Sequence, residues 1–347
     1  MSLQWRRHAT DANGASYPSL ISYRSDDARG ILFEGNNAAA LQDLATTHTE
    51  RVTLAYLDPP FWTNRIFEAE FVKGPRKVGE RTRVTAFDDR WPDLPAYLEA
   101  LEERLLAIRT LLAPHGSIVV HIDPKTSHYV KVMCDGIFGM GAFASEIIWR
   151  YRRWPSKTPN YQRVHDVLLR YRKDPSAKPR WNQAYEPLAA STKKTWGTRK
   201  QHAIVGESGR RLRSSTLTEE SAGVPLGDVW DIGVIAPIAN ERTGYPSQKP
   251  EALLARIIET LSDPNDLILD PYAGSGTTLA VARKLGRAFI GIDESPVAID
   301  IVRARMEAVG APLLSESAAG RRGDARPRSA DRIDPEGLPE RGKEAHG

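Results

Sequence analysis

Three acidic residues stand where apolar runs end, each followed by residues that restrict the chain or open it to a ligand. Asp58 follows Val52-Thr-Leu-Ala-Tyr-Leu57 and is followed by Pro59, Pro60, Phe61 and Trp62. The run before it has the apolar, β-branched and aromatic character of a buried strand. Proline fixes φ and restricts the residue before it, so Asp58-Pro59-Pro60-Phe61 predicts a stiff loop holding a carboxylate beside a ring. A turn with a solvated acid is the plain alternative, and Trp62 reads equally well as core or as support. Asp270 ends Leu267-Ile-Leu-Asp270 and opens Asp-Pro-Tyr-Ala-Gly-Ser-Gly-Thr-Thr; Asp293 ends the next apolar run, 23 residues on. The glycines at 274 and 276 suit neither common phosphate turn. A dinucleotide fingerprint wants Gly or Ala where Leu279 stands, and a P-loop would place Lys after Gly276. Gly274, Ser275 and Gly276 still let a ligand approach the backbone at a helix start. An acid at the next strand end can accept from both hydroxyls of a ribose. A nucleoside without pyrophosphate, carrying an amino-acid moiety, meets both conditions, and S-adenosylmethionine is that molecule.

These acids need a scaffold, and the rest of the chain supplies one. Short strands are expected at Ile31–Phe33, 117–122, 146–150, 167–172 and 287–293. Helices are expected at Ala38–Leu44, Tyr97–Leu112, Thr126–Phe138, Glu251–Ser262 after Pro250, Thr277–Leu285 and Pro296–Val309. Strands alternating with helices predict an α/β fold with a doubly wound, mostly parallel sheet. In such sheets ligands bind beyond the carboxyl ends of the strands, so Asp58, Asp270 and Asp293 are expected on one rim. Residues 62–90 are polar, basic and without period, which suggests a mobile or functional segment.

Composition bounds the chemistry. The chain has 347 residues, a net charge of +4 and a single cysteine, Cys134, which excludes a disulfide framework and a cysteine zinc site. His121 and His165 lack metal-ligand spacing and read as structural, so no metal is expected. The start, MSLQWRRHAT, has no apolar h-region, and nowhere do eighteen apolar residues run together, so no membrane partner and a cytoplasmic, nucleoid-associated protein are expected. Between Trp149 and Ser215 there are seventeen Lys and Arg against four Asp and Glu, which leaves +13 there and −9 for the remainder. Trp149, Tyr151, Trp154, Tyr161, Tyr171, Trp181, Tyr185 and Trp196 interleave with those cations. Rings and arginines together suit stacking on bases and pairing with phosphates; a solvated basic face with buried rings is the alternative. Arg150, Arg152, Arg153, Lys193 and Lys194 are the candidate DNA contacts.

Nine segments in order carry a resemblance: "EGNNAAALQDL" (34–44), "LDPPF" (57–61), "LLAPHGSIVVHID" (111–123), "DGIFG" (135–139), "EIIWRYRR" (146–153), "HDVLLRY" (165–171), "PSQKPEALLARII" (246–258), "DPYAGSGTT" (270–278) and "FIGIDESP" (289–296). The chain resembles the beta-class, circularly permuted, S-adenosylmethionine-dependent DNA amino-methyltransferases. The resemblance implies a seven-stranded class I methyltransferase sheet, with a catalytic half at 31–173, a target-recognition insert at 174–226 and a cofactor-binding half at 227–315. An N-terminal extension (1–30) and a disordered tail (316–347) flank them. It implies that Asp58 and the Pro59 carbonyl accept from the target amino group while Phe61 stacks on an extruded base held by the Pro59-Pro60 loop. Asp270, Gly274 and Gly276 would line the cofactor's methionine moiety and Asp293 its ribose. Asn36 would reach its adenine and Lys249 its carboxylate. Asn36 and Tyr272 stand where the family usually has Asp and Phe. N6-adenine methylation of double-stranded DNA leads; N4-cytosine methylation and a catalytically silent DNA-binding relative are the alternatives. A cognate restriction endonuclease and a homodimer are the further partners the resemblance allows.

Overall fold

The computed structural model describes residues 21–315 except 26, 28, 74–79, 156, 158, 203 and 211–214. The expected extension therefore lies mostly, and the expected tail wholly, outside the described residues. In chain order the first half contains β1 (Ile21–Ser25), β2 (Gly30–Glu34), α1 (Asn37–Thr47), β3 (Val52–Leu57), β4 (Ile66–Lys73), β5 (Glu80–Asp88), α2 (Leu94–Leu111), β6 (Leu112–Ile122), α3 (Ser127–Phe138), β7 (Phe143–Arg150) and β8 (His165–Arg172). There follow β9 (Tyr185–Glu186), α4 (Ala190–Trp196), β10 (Arg199–His202), β11 (Ser215–Glu220), β12 (Val224–Pro225) and β13 (Val229–Asp231). The chain then forms α5 (Glu251–Leu261), β14 (Leu267–Asp270), α6 (Thr277–Lys284), β15 (Ala288–Asp293), α7 (Pro296–Ala308) and β16 (Leu313–Ser315).

Ten strands form one sheet in the order β13-β7-β8-β6-β3-β14-β15-β2-β1-β16. The seven from β7 to β2 are the expected class I sheet. β6, β3, β14, β15 and β2 run parallel, and β8 lies antiparallel to both β6 and β7. Three strands extend its edges: β13 parallel to β7, and β1 and β16 antiparallel beyond β2. The halves are joined in permuted order, with the β3 half ahead of the β14 half.

Each face carries its own helices. Tyr97, Leu98, Leu101, Leu105 and Ile108 of α2 recur at helical spacing and are buried with apolar residues of α1 and α3. Burial of each such side chain contributes roughly 1.5–3 kcal/mol. Asp93 caps α2 by accepting from the Ala96 N–H at 2.9 Å, which satisfies one orphan donor of the first turn. The opposite face is covered by α5, α6 and α7 through Leu253, Ile257, Leu279, Ile299 and Val302. β3 and β14 lie side by side in the sheet, with α1, α2 and α3 on one face and α5, α6 and α7 on the other. That opens a crevice above their carboxyl ends.

Residues 62–90, expected as an aperiodic segment, instead contain the antiparallel hairpin β4–β5. Ala69 and Ala86 are buried against Tyr245 and Ala298, while Ile66, Phe71 and Val84 stay exposed. Glu68, Glu70, Arg81 and Arg83 interrupt the apolar residues, so neither strand carries a continuous apolar run like that of β3.

Candidate active site

Asp58, Asp270 and Asp293 line one cavity of about 440 Å3, within the usual range for a ligand pocket of about 300–1,000 Å3. They meet because β3, β14 and β15 are adjacent and parallel, so their carboxyl ends share an edge. Burial pushes the Asp270 carboxyl up to about 7, against bonds from the Thr278 hydroxyl and the Tyr272 N–H; nearby Asp58 and Asp293 add to the rise. Asp293 accepts from the Gly274 N–H at 2.7 Å and the Ser295 N–H at 2.9 Å. Burial nevertheless lifts it to about 6. The Asp293 carboxylate thus shapes the glycine loop as well as facing the cavity, and Glu294 beside it is exposed at the cavity wall.

Gly274 and Gly276 have φ of +51° and +71°, in the left-handed region. A Cβ on Gly276 would lie 2.9 Å from the Val302 side chain, and one on Gly274 3.2 Å from the Tyr245 ring. Tyr245 stacks near Phe87 of the hairpin, and burial pushes its hydroxyl pKa up, with Asp293 and Asp58 adding to the rise. Sequence reading missed this residue, which stands one place before the quoted "PSQKP".

Asn36, expected to reach an adenine, caps α1: its Oδ1 accepts from the Ala38 N–H at 2.9 Å and the Ala39 N–H at 3.4 Å. Its neighbour Asn37 ties the cavity together, donating to the Pro271 carbonyl at 3.0 Å and accepting from Arg104 Nε at 2.7 Å. Lys249, expected to face a carboxylate of the cofactor, lines the cavity, forms an ion pair with Asp58 Oδ2 and lies 5.3 Å from the Phe61 ring centroid. Asp58 Oδ1 is buried and has no hydrogen-bond partner among the described residues.

Pro59, Pro60 and Phe61 line the same cavity. Beyond them Trp62 and Asn64 adopt φ of +57° and +58°, a conformation that costs non-glycine residues energy and needs support. Asp89 supplies it. That buried carboxylate accepts from Trp62 N at 3.0 Å, Thr63 N at 2.8 Å, Thr63 Oγ1 at 2.6 Å and Trp91 Nε1 at 3.2 Å. Trp62 packs against the core beneath Lys125, whose Nζ is 4.0 Å from its ring centroid.

The basic segment divides. β7 runs parallel to β6, so Arg150 and the loop 151–164 emerge on the same edge as the cavity. Arg150 pairs with Asp231, Arg153 lies over the Tyr151 ring at 5.1 Å, and Arg152 is exposed. Trp154 and Tyr161 are 93% and 98% exposed on this loop. Trp149, Tyr151 and Tyr171, by contrast, are core residues. The insert leaves β8 and returns through β13 on the opposite edge, and Asn182 and Arg180 anchor it there to Ser262, Asp263 and Asp266. It contains the two-stranded pairs β9–β12 and β10–β11 and carries Lys193 and Lys194 exposed on α4. The five candidate DNA contacts are thus not one cluster at the roots of their segments.

A family model described as DNA methylase matches residues 52–304. The chain is 27% identical over 263 residues to the DNA adenine methyltransferase YhdJ of Escherichia coli (strain K12), covering 73% of this chain and 76% of that protein. It is 29% identical over 327 residues to the type II methyltransferase M.EcaI of Enterobacter cloacae, covering 80% and 69%. Among solved structures, PvuII DNA methyltransferase (cytosine-N4-specific) shares the fold with a TM-score of 0.52, 16% identity, and coverage of 85% and 94%. The family match runs from the strand that presents Asp58 into the helix after Asp293 and takes in both halves of the cavity: the chain belongs to the DNA methylase family of N6 and N4 amino-methyltransferases.

Proposed function

We propose that this protein transfers a methyl group from S-adenosylmethionine to the N6 amino group of adenine in double-stranded DNA. The observation that carries the reading is Asp58 in a Pro-Pro loop, lining the same cavity as the glycine loop and two further acids, with one carboxylate oxygen unpartnered among the described residues. The residues present fit the cofactor: acids suit a sulfonium and a ribose, and the glycines leave backbone exposed where a Cβ would meet Tyr245 and Val302. When bound, the cofactor supplies an electrophilic methyl group. Asp58 and the Pro59 carbonyl accept from the amino group, favouring a nitrogen whose lone pair is free to attack, and Phe61 stacks on a base flipped from the duplex. For the amino group to enter, Lys249 must release Asp58. Asp270, Gly274 and Gly276 hold the amino-acid end of the cofactor, and Asp293 its ribose.

The adenine preference is supported by the similarity to YhdJ. The type II name of M.EcaI supports a restriction–modification setting with a cognate endonuclease. We assign the first DNA contacts to Arg152, Arg153 and the loop 151–164, which share the cavity's edge, with Lys193 and Lys194 of the insert reading outlying duplex. The test is mass-spectrometric identification of the base methylated when the protein and cofactor are incubated with DNA of mixed sequence. N6-methyladenine is the expected product. N4-methylcytosine would overturn the base assignment, and no methylated base would overturn the reading itself.

A further inference from the structure

Behind Asp58, on the side away from the cavity, lies a buried histidine that the sequence reading left as structural. His121 on β6 is fully buried. Its Nε2 is 3.3 Å from Asp166 Oδ2, and Asp166 Oδ1 accepts from the Tyr151 hydroxyl at 2.9 Å. A carboxylate can only accept, so Nε2 carries the hydrogen and Nδ1 holds the ring's one lone pair. Nδ1 is 2.8 Å from the Tyr56 hydroxyl and 3.9 Å from Asp58 Oδ1, the oxygen without a partner. Burial keeps the Tyr56 hydroxyl protonated, so it donates to Nδ1 rather than competing as a base. Burial pushes Asp166 up, yet the His121 ring, Lys249 and the Tyr151 hydroxyl outweigh it and lower the carboxyl overall. The charged and titratable groups facing His121 are therefore Asp58 and Tyr56 from β3 and its loop, Asp166 from β8, Tyr151 beyond β7, and Lys249 ahead of α5. Asp270 lies further along the rim. The rings of Phe61 and Trp149, at 5.7 and 5.4 Å, exclude water from the ensemble.

Resting on the proposed amino-group methylation, we infer that His121, oriented by Asp166, is a positioning residue that receives through Asp58 the proton the amino group loses. The nitrogen lone pair forms the N–CH3 bond while the S–CH3 pair stays on sulfur, leaving a positive charge on nitrogen. One N–H proton passes to Asp58 Oδ1 and on to His121 Nδ1, where the Tyr56 hydroxyl turns from donor to acceptor. The remaining N–H electron pair returns to nitrogen, and the imidazolium is held by Asp166. A turn of the Asp58 carboxyl, free once Lys249 has left, closes the 3.9 Å gap. When the methylated base departs, the proton returns through Asp58 to water in the opened cavity.

Two measurements test this. First, the single-turnover rate of methyl transfer to duplex DNA is followed against pH for wild type, His121→Asn and the isosteric Asp166→Asn. Cofactor and DNA affinity are checked in parallel. A relay predicts that the wild-type rate falls on the acid side, when His121 is already protonated. His121→Asn removes that limb and lowers the rate about 100-fold or more, with both affinities kept within about twofold. Asp166→Asn moves the limb to lower pH, because the imidazolium loses its counter-charge. Second, the His121 ring is titrated by 15N NMR in the ligand-free protein, where Asp166→Asn and Asp58→Asn should each lower its midpoint. A His121→Asn protein that does not fold leaves the decision to Asp166→Asn and the NMR titration. The relay is overturned by an active wild type whose acid limb is unmoved in Asp166→Asn, or by a His121 ring that stays neutral across pH 5–9. A wild type that methylates no DNA overturns the functional reading instead, and the relay with it.

Discussion

The loop 151–164 and the insert 174–226 carry the same mixture of cations and exposed rings, yet they hang from opposite edges of the sheet. The loop joins β7 to β8 on the edge of the sheet where the cavity lies. The insert's roots lie on the opposite edge, tied to the chain that leads into β14. Both have paired cations, Arg180 with Asp263 and Lys200 with Glu219 in the insert and Arg163 with Asp123 in the loop, and both leave others exposed, Lys193 and Lys194 in the one and Arg152 in the other. Charge composition points to a polyanion partner; strand direction decides which cations share the cavity's edge.

Asp58→Ala sets the scale for this contrast. It should reduce methyl transfer by roughly 10²–10⁴-fold while cofactor affinity, measured by equilibrium binding, stays within a few-fold. Loss of cofactor binding would break the proposed division between the two halves of the rim. Next in size, the double reversal Arg152→Glu and Arg153→Glu should weaken DNA binding across all sequences. It should also shallow the log–log salt dependence by about 2, from about −0.9 per phosphate contact. Lys193→Glu with Lys194→Glu should shallow it less, and a titration across a fourfold salt range ranks the pair. If the insert variant loses more, the edge assignment is wrong. The smallest effect concerns the rim alone. Asp270 and Asp293 bind protons more tightly folded, at about 7 and about 6, than in an unfolded chain with carboxyls near 3.8. The ligand-free protein should therefore lose stability as pH rises from about 4 through 7. Its melting temperature should be lower at pH 7.5 than at 5.5, and Asp270→Asn should flatten that difference.

Where a residue's place depends on its own run of sequence, the sequence showed it. Asp58, Asp270 and Asp293 each end an apolar strand, and alternation of strands and helices suffices to bring three strand ends together. Roles set by distant partners were not legible. Lys249 meets Asp58 across 191 residues, and Asp89 clamps the Trp62–Asn64 turn only because a hairpin returns it there. Asn36 reads in the sequence as a ligand contact alone; its Oδ1 also caps α1, a role that appears only once the helix start is placed. The eight interleaved aromatics looked alike in sequence, but β7 and β8 carry three of them inward or hold them against the core while the loops leave others in solvent. Ring type does not encode that division; strand register does.

The permuted strand order has a consequence for how the chain is made. β14 pairs with β3 on one side and β15 on the other, so the middle of the sheet is supplied by a strand about two hundred residues downstream of β3. While the ribosome extends the chain through the insert, β3 is paired with β6 and presents one bare apolar edge, a template for pairing with other nascent chains. Closing the gap needs contacts of long sequence separation, which form slowly. The insert thus occupies the interval of synthesis in which the amino-terminal half lacks its neighbour in the sheet.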